Sequence, residues 1–350
     1  MNARFSKCLV SVLVIAALAL AIVPFAGAQE GPKPEAVGPA KPALLSLAAT
    51  ATPTGATPGD GLVELVRVYD TSAHPLAEPG GLAVDSQGNL FIADDMNNVI
   101  QKYDNDGEFV TQWGGPGSGD GQFKFSTSVL DFENPRAPLS VDKEGNVYAA
   151  DVYNARVQKF DNNGTFLRQF KIENALRVYG VYVDAQDTVY VHTFPMNTIQ
   201  KLDPEGNLLG EYLGEDATHT RFLFVRFCGT DSQGNLVITD AGITVEGAAS
   251  RLITFDANGK IMSQFTGQPG DADGQLRVVV GCPLDSENRL YLADRTSRVQ
   301  VFDQSGNFLG IWTGPGDGST FDSVDILTID GQDNIYLRDS TNIYEFRLLK

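Results

Sequence analysis

The sequence predicts an all-β fold: a six-bladed β-propeller with four antiparallel strands per blade, its last blade closed by an N-terminal strand at residues 62–69. Three observations predict it. One short phrase recurs six times, each full copy carries two hairpin signals, and the last copy is one strand short while an orphan strand stands ahead of the first.

The phrase is an apolar run, an Asp, a tight turn, a second apolar run and, nine residues after the first Asp, usually another. The first Asp is Asp85, Asp142, Asp184, Asp231, Asp285 and Asp330. The second is Asp94, Asp151, Asp240, Asp294 and Asp339, with Thr193 in the third copy. The spacing of roughly 42 to 57 residues suits one supersecondary unit per copy. Runs such as Gly81-Leu-Ala-Val-Asp85 and Asn89-Leu-Phe-Ile-Ala-Asp94 are four to five residues long and rich in Val, Ile, Tyr and Phe, which favours strands over helices. Between them lies a turn whose third position is Gly88, Gly145, Asp187, Gly234, Asn288 or Asp333, the residue types that tolerate positive φ.

A second hairpin signal, Asp-x-x-Gly, follows in five copies: Asp104 to Gly107, Asp161 to Gly164, Asp203 to Gly206, Asp256 to Gly259 and Asp303 to Gly306. Strands such as Val157-Gln-Lys-Phe160 and Thr165-Phe-Leu-Arg-Gln-Phe170 flank it, so each copy holds four strands. The turn aspartates accept N–H groups of their own turns, a structural role. Arg156, Arg251 and Arg298, at one recurring slot before the third strand, are read as partners of the neighbouring Asp. Four-stranded units of this length stack radially, which leaves only short edges exposed. The sixth copy has three strands, around Leu327, Tyr336 and Tyr344, and Leu62-Val-Glu-Leu-Val-Arg-Val-Tyr69 supplies the fourth.

Gly81-Leu-Ala-Val-Asp-Ser-Gln-Gly-Asn-Leu-Phe-Ile-Ala-Asp94 and Asp151-Val-Tyr-Asn-Ala-Arg-Val-Gln-Lys-Phe-Asp161 resemble NHL repeats. So does the link Gly115-Pro-Gly-Ser-Gly-Asp-Gly-Gln-Phe123, partly repeated at Gln268-Pro-Gly-Asp-Ala-Asp-Gly-Gln-Leu276. The resemblance covers residues 62–350. The third copy departs from it by lacking its second Asp, and the fourth by an insertion from Ala241 to Ser250.

Residues 1–28 read as a secretory signal peptide: Arg4 and Lys7, an apolar run from Cys8 to Ala21, then Ala26-Gly27-Ala28 before Gln29, with an uncleaved anchor as the alternative. No later run is long and apolar enough to span a membrane. Residues 29–60, rich in Pro, Ala and Thr, read as a disordered linker, and 61–350 as one propeller domain. The expected location is secreted or extracytoplasmic, at the cell envelope.

Formal charge is −18, from 26 Lys and Arg against 44 Asp and Glu. An acidic surface repels phosphate backbones, so nucleic acid is excluded as a partner. Cys228 and Cys282 occupy equivalent inner-strand positions of adjacent copies. Equivalent side chains point the same way round a ring rather than at one another, so they are read as buried thiols beyond bridging distance, with a disulfide as the alternative.

A propeller binds at its channel mouth, on the loops that lead into the inner strands. Arg136, Arg177, Arg226 and Arg277 fall in those loops, with Tyr179, Phe224 and Asp325. Such arginines hold a carboxylate, sulfate or phosphate, or else pair with local carboxylates. The function expected is a secreted binding module for a protein, a glycan or a small anionic ligand, with no catalytic residue selected and no cofactor required. The alternative is a metal-dependent lyase or hydrolase with its site in the channel. Related propellers imply two forms of it: an amidating-lyase-like zinc site, for which this chain offers His74, His192 and His219, or a lactonase-like calcium site, for which it offers Glu133, Asn134 and Asp325. None of the histidines sits on an innermost strand. Asp104-Asn-Asp-Gly107 and Asp271-Ala-Asp-Gly274 resemble the start of a calcium loop but lack its closing Glu.

Overall fold

The computed structural model describes residues 62–126, 137–213, 222, 224–241, 250–294 and 296–349. Strand β1 (Val63–Val68) comes first. Blade one follows with β2 (Pro79–Val84), β3 (Leu90–Asp94), β4 (Val99–Tyr103) and β5 (Phe109–Gly114). Blade two holds β6 (Leu139–Val141), β7 (Val147–Asp151), β8 (Arg156–Phe160) and β9 (Phe166–Lys171). Blade three holds β10 (Arg177–Val183), β11 (Val189–Phe194), β12 (Ile199–Leu202) and β13 (Leu208–Tyr212). Blade four holds β14 (Val225–Thr230), β15 (Leu236–Ala241), β16 (Ser250–Phe255) and β17 (Ile261–Thr266). A short parallel pair, β18 (Gln268–Pro269) and β19 (Gln275–Leu276), links blade four to blade five, which holds β20 (Leu290–Ala293), β21 (Val299–Phe302) and β22 (Phe308–Trp312). Blade six has β23 (Ile326–Ile329), β24 (Asn334–Arg338) and β25 (Ile343–Leu348).

The sheets are antiparallel meanders, and the order β1-β25-β24-β23 closes the ring. Val63 pairs with Leu348 and Val68 with Tyr344, so the expected closing strand is in place. Arg67 Nε lies 2.6 Å from Glu345 of β25, and Tyr69 donates to the same carboxylate at 3.4 Å. Blade five departs from the four-strand pattern. Its inner segment pairs irregularly with β20, through bridges at Gly281 with Ala293 and Leu284 with Leu290 and a Val280 N–H to Ala293 O bond of 2.8 Å.

The core lies between blades. Tyr69, Leu82, Ile92, Tyr103, Ile326 and Tyr336 form one cluster joining blades six and one, and Phe91, Ile100, Phe123, Phe125 and Val147 form another joining one and two. Middle strands are therefore covered on both faces, which explains why their sequences run apolar without alternation.

The turns behave as expected. Asp85 Oδ1 accepts the backbone N–H of Gln87 and Asn89, both at 2.9 Å, and Asp142, Asp184, Asp231, Asp285 and Asp330 repeat the arrangement. The second Asp does more than close its own turn. Asp94 accepts the N–H of Ala77 at 2.8 Å, Asp151 that of Lys124 at 2.7 Å and Asp240 that of Phe224 at 2.9 Å, so each holds the loop leading into an inner strand. Arg156 and Arg251 pair with Asp151 and Asp240 at 2.7 and 2.5 Å, and Arg298 with Asp294 at 3.3 Å.

The thiol reading of the cysteines is corrected. Cys228 and Cys282 form a disulfide with Cα atoms 4.6 Å apart, inside the roughly 7 Å bridging limit. They are not equivalent after all. Cys228 sits at a register shift between Phe227 and Gly229, and a bulge re-aims its side chain. Cys282 lies on the irregular inner segment of blade five, drawn against β14 by the Leu284 N–H to Cys228 O bond of 3.2 Å.

Candidate functional site: the channel mouth

The six inner segments line a central channel with a cavity of about 370 Å³. Neighbours in the ring are β23, β2, β6, β10 and β14, followed by the segment carrying Cys282, which returns to β23. The end where the inner strands begin carries Gly80, Pro138, Tyr179, Arg226, Val280 and Asp325. This is the mouth singled out from the sequence.

One pole of the mouth lies at the junction of blades three and four. Arg177 opens β10. Its Nη1 donates to the Tyr179 hydroxyl at 3.1 Å, and its guanidinium stands 4.8 Å from the Tyr153 ring centre and 5.6 Å from that of Phe194. Tyr179 falls at a register shift between Val178 and Gly180, and its ring centre lies 5.9 Å from that of His192 on β11. Arg226 is half-buried on the channel wall, with Nη1 donating to Val225 O at 3.2 Å.

His192 is wholly buried, and among the described residues neither ring nitrogen has a hydrogen-bond partner. Burial, with the positive charge of Arg226 second, pushes its pKa down to about 3, so the imidazole is neutral. Gly180 makes room here: a Cβ on it would stand 2.8 Å from Phe227 and 3.4 Å from the His192 Cβ.

The opposing pole lies at the junction of blades six and one. Asp325 Oδ2 is 3.3 Å from Arg338 Nη1, which also donates to Pro79 O at 3.2 Å and lies 3.8 Å from Glu78. Asp95 is fully buried, its Oδ1 accepting the Ala137 N–H at 3.2 Å. Its carboxylate fills the space that a Cβ on Gly80 would occupy, so glycine is required there.

Of the residues expected at the site, the structure brings Tyr179, Arg226 and Asp325 to the channel wall, with Arg177 behind Tyr179. Phe224 uses its backbone to bond Asp240, and it is not among the residues of the wall. Arg277 is exposed and paired with Asp271 through Nε and Nη2, so the local-pairing reading describes it. His74 stacks on Phe109 of β5 with ring centres 3.5 Å apart, and so is not brought to His192. Arg136, Glu133, Asn134 and His219 lie outside the described residues.

Among the described residues, the acidic, His and Cys groups close enough to share a metal are Asp142, Glu144 and Asp187. Lys159 meets Asp142 at 2.9 Å and Lys143 meets Asp187 at 2.5 Å, so lysines already answer that charge.

Sequence reasoning passed over Asp95 and Arg338. A signal for Arg338 existed. The position before the second Asp is Ala93, Ala150, Thr239 or Ala293 in four blades, but His192 and Arg338 in the other two. The residues that break the repeat lie at the two poles.

No family model matches the chain. The chain is similar to Protein brain tumor of Drosophila melanogaster, 27% identical over 135 residues, covering 39% of this chain and 12% of that protein's length. Among solved structures, it is similar to a catalytically inactive variant of virginiamycin B lyase from Staphylococcus aureus with quinupristin: 15% identity, 81% of this chain and 87% of that one, TM-score 0.54. A streptogramin B lyase structure matches at 12% identity over 81% and 97%, TM-score 0.50. At these identities the likeness establishes the propeller fold. Among the described residues, no helix is long and apolar enough to cross a membrane.

Proposed function

We propose that this chain is an NHL-type propeller, exported by its N-terminal segment to the cell envelope or beyond, that works as a binding module and takes a small anionic ligand at the channel mouth. The observation that carries this reading is the junction of blades three and four. There Arg226 and Tyr179 stand on the wall of a 370 Å³ cavity, with Arg177 bonded to the Tyr179 hydroxyl. A guanidinium and a phenol at the rim of a concave site suit a carboxylate, sulfate or phosphate. Overall acidity does not oppose this, because a screened surface charge acts weakly beyond about 10 Å at ordinary salt.

The test is calorimetric titration of the full-length chain with succinate, citrate and sulfate, with Arg226→Met as the site variant and Arg277→Met as the control. Binding by at least one anion, weakened about tenfold in Arg226→Met and unchanged in Arg277→Met, is expected. Absence of binding by all three, or equal loss in both variants, overturns the reading.

A metal-dependent lyase or hydrolase is the second reading. Its support is the buried His192, whose two nitrogens are unpartnered among the described residues, since imidazole is a common zinc ligand. Zinc or calcium retained stoichiometrically by the purified chain and lost in His192→Gln would favour it over a binding module.

A further inference from the structure

We infer that the Cys228–Cys282 disulfide is a redox switch for the channel mouth. The bond holds β14 in one register. A dithiol that opens it lets the strand slip to the register of blades one and three, which moves Arg226 and lowers anion binding. The inference rests on the anion-binding reading above and adds its regulation.

Three observations carry it. The first is that both registers exist in this molecule. In β2 and β10 the residues skipped by pairing with the second strand are Gly80 and Tyr179, each five before the first Asp of its copy. In β14 the skipped residue is Cys228, three before Asp231. Arg226 stands where the bulge falls in the other two blades. At present Arg226 pairs with Thr239 and Phe227 with Ile238. With the bulge at Arg226, Phe227 would meet Thr239 and Cys228 would meet Ile238. A one-residue change of pairing turns a side chain to the other face.

The second is a sign that the displaced bulge is strained. Gly229 has a φ of +136°, whereas the equivalent Ala83 and Tyr182 lie in ordinary strand. Among the described residues the atom nearest its Cβ position is Leu284 Cδ1 at 3.6 Å, an ordinary contact. Glycine there answers the backbone rather than the packing.

The third is what the bond touches. Cys228 and Cys282 both line the cavity, and their sulfurs lie 3.9 and 3.7 Å from Arg226 O. Behind them Val237, Leu252, Leu292 and Phe302 belong to the same buried cluster. Sulfurs that no longer share a bond must part to van der Waals contact. A close-packed core does not yield, so the backbone of β14 takes up the movement on the cavity side.

The step is a thiol–disulfide exchange. A thiolate of the dithiol bonds to Cys228, the more exposed of the pair, and Cys282 leaves as a thiolate 3.7 Å from the Thr239 hydroxyl, which donates to it. The second thiol of the reagent then closes on the first and frees Cys228. Two electrons and two protons pass to the protein, which ends with two thiols, and the reagent ends as a disulfide.

The test uses the full-length chain, oxidised and after dithiothreitol, with the opened bond confirmed by alkylation of both cysteines. Urea midpoints are compared for the unaltered chain and Gly229→Ala. A lower midpoint for Gly229→Ala is expected when oxidised, and no difference when reduced, because residue 229 then returns to ordinary strand. An equal loss in both redox states, or none in either, overturns the inference, as does unfolding of the unaltered chain on reduction. If Gly229→Ala does not fold when oxidised, phenylglyoxal labelling of the unaltered chain decides. Reduction is expected to change the rate at Arg226 several-fold and leave exposed Arg277 unchanged, and an unchanged rate at Arg226 overturns the inference.

Citrate, succinate and sulfate are then titrated calorimetrically. Binding by the oxidised chain is expected to weaken about tenfold on reduction and to return on reoxidation. Binding indifferent to reduction overturns the switch and leaves the anion-binding reading standing. If the oxidised chain binds none of the three, that reading fails, and the Gly229 comparison still decides whether the register is under redox control.

Discussion

The indole of Trp113, at the end of the outer strand of blade one, lies against Gly164 in the last hairpin of blade two. A Cβ added to Gly164 would stand 2.5 Å from Trp113 Cδ2. The contact recurs round the ring. Phe170 meets Gly206, Tyr212 meets Gly259, Phe265 meets Gly306, and Tyr69 approaches Gly107. At five of the six junctions an aromatic ring thus rests on a turn glycine of the next blade. The last of these rings comes from the N-terminal strand, so closure reuses the same joint.

Gly164 is therefore held by two constraints, its φ of +86° and the ring over it. Gly234 shares the first, at +79°, but among the described residues nothing lies within 4 Å of its Cβ position. Gly234→Ala is expected to cost about 1–2 kcal/mol, the left-handed backbone alone. Gly164→Ala should cost about 1–3 kcal/mol more, since the indole must move. Urea unfolding of both variants checks this, and equal losses would mean that the stacking is incidental.

Closure by β1 predicts that the ring fails as a unit. Removing residues 62–69 takes away the partner of β25, the Arg67 to Glu345 ion pair and the Tyr69 joint with blade one. It also uncovers Tyr103 and Tyr336, which share a cluster with Tyr69. A drop in melting temperature of the whole domain is expected, with one transition rather than a separate early loss of blade six. Calorimetry distinguishes the two. A two-step melt would show that blade six is stabilised independently of its neighbours.

The Cys228–Cys282 disulfide ties the inner strand of blade four to the irregular inner segment of blade five across 54 residues of sequence. That segment pairs irregularly with its own sheet, so the cross-link supplies what pairing does not. Cys228→Ala with Cys282→Ala is expected to lose about 2–4 kcal/mol, and the fall should match that caused by a thiol reductant on the unaltered chain. Hydrogen exchange should localise the loosening to residues 279–285. Unchanged exchange there would assign the stabilisation to the unfolded chain alone.

How much of this was legible in the sequence follows a physical line. Turn aspartates, positive-φ positions and the closing strand at 62–69 act within a few residues or along one strand, so the repeat displays them directly. The disulfide was not legible, because a bulge at Cys228 removes the equivalence of the two positions, and bulges leave no periodic trace. Arg277 was expected at the mouth with Arg226, yet Asp271, six residues earlier on an exposed link, holds it away. Asp95 could be seen only once Gly80 and Ala137 were known to converge on it. Position along a repeat identifies a strand. It does not say which loop side chains a neighbouring blade will meet.

His192 predicts a particular acid sensitivity. Its pKa is about 3 in the folded chain, against 6.5 ordinarily, through burial first and Arg226 second. Above pH 6.5 the imidazole is neutral in both states, and folding does not oppose any protonation. As the pH falls below 6.5, the unfolded chain takes up a proton that the folded chain refuses until about pH 3. Stability must therefore decline over that window, with the full contribution present only above it. Tyr179 from β10 and Arg226 from β14 are the described groups that face the ring, and neither becomes a negative partner at acid pH. His192→Leu removes the titration and the two ring nitrogens together. The variant should gain on the unaltered chain as pH falls, by about 2–3 kcal/mol between pH 7 and 4.5. Carboxylates such as Asp142 are common to both proteins and cancel in the difference. Urea midpoints at the two pH values decide it. A difference between the proteins that does not change with pH would mean that the imidazole finds a proton acceptor in the folded state.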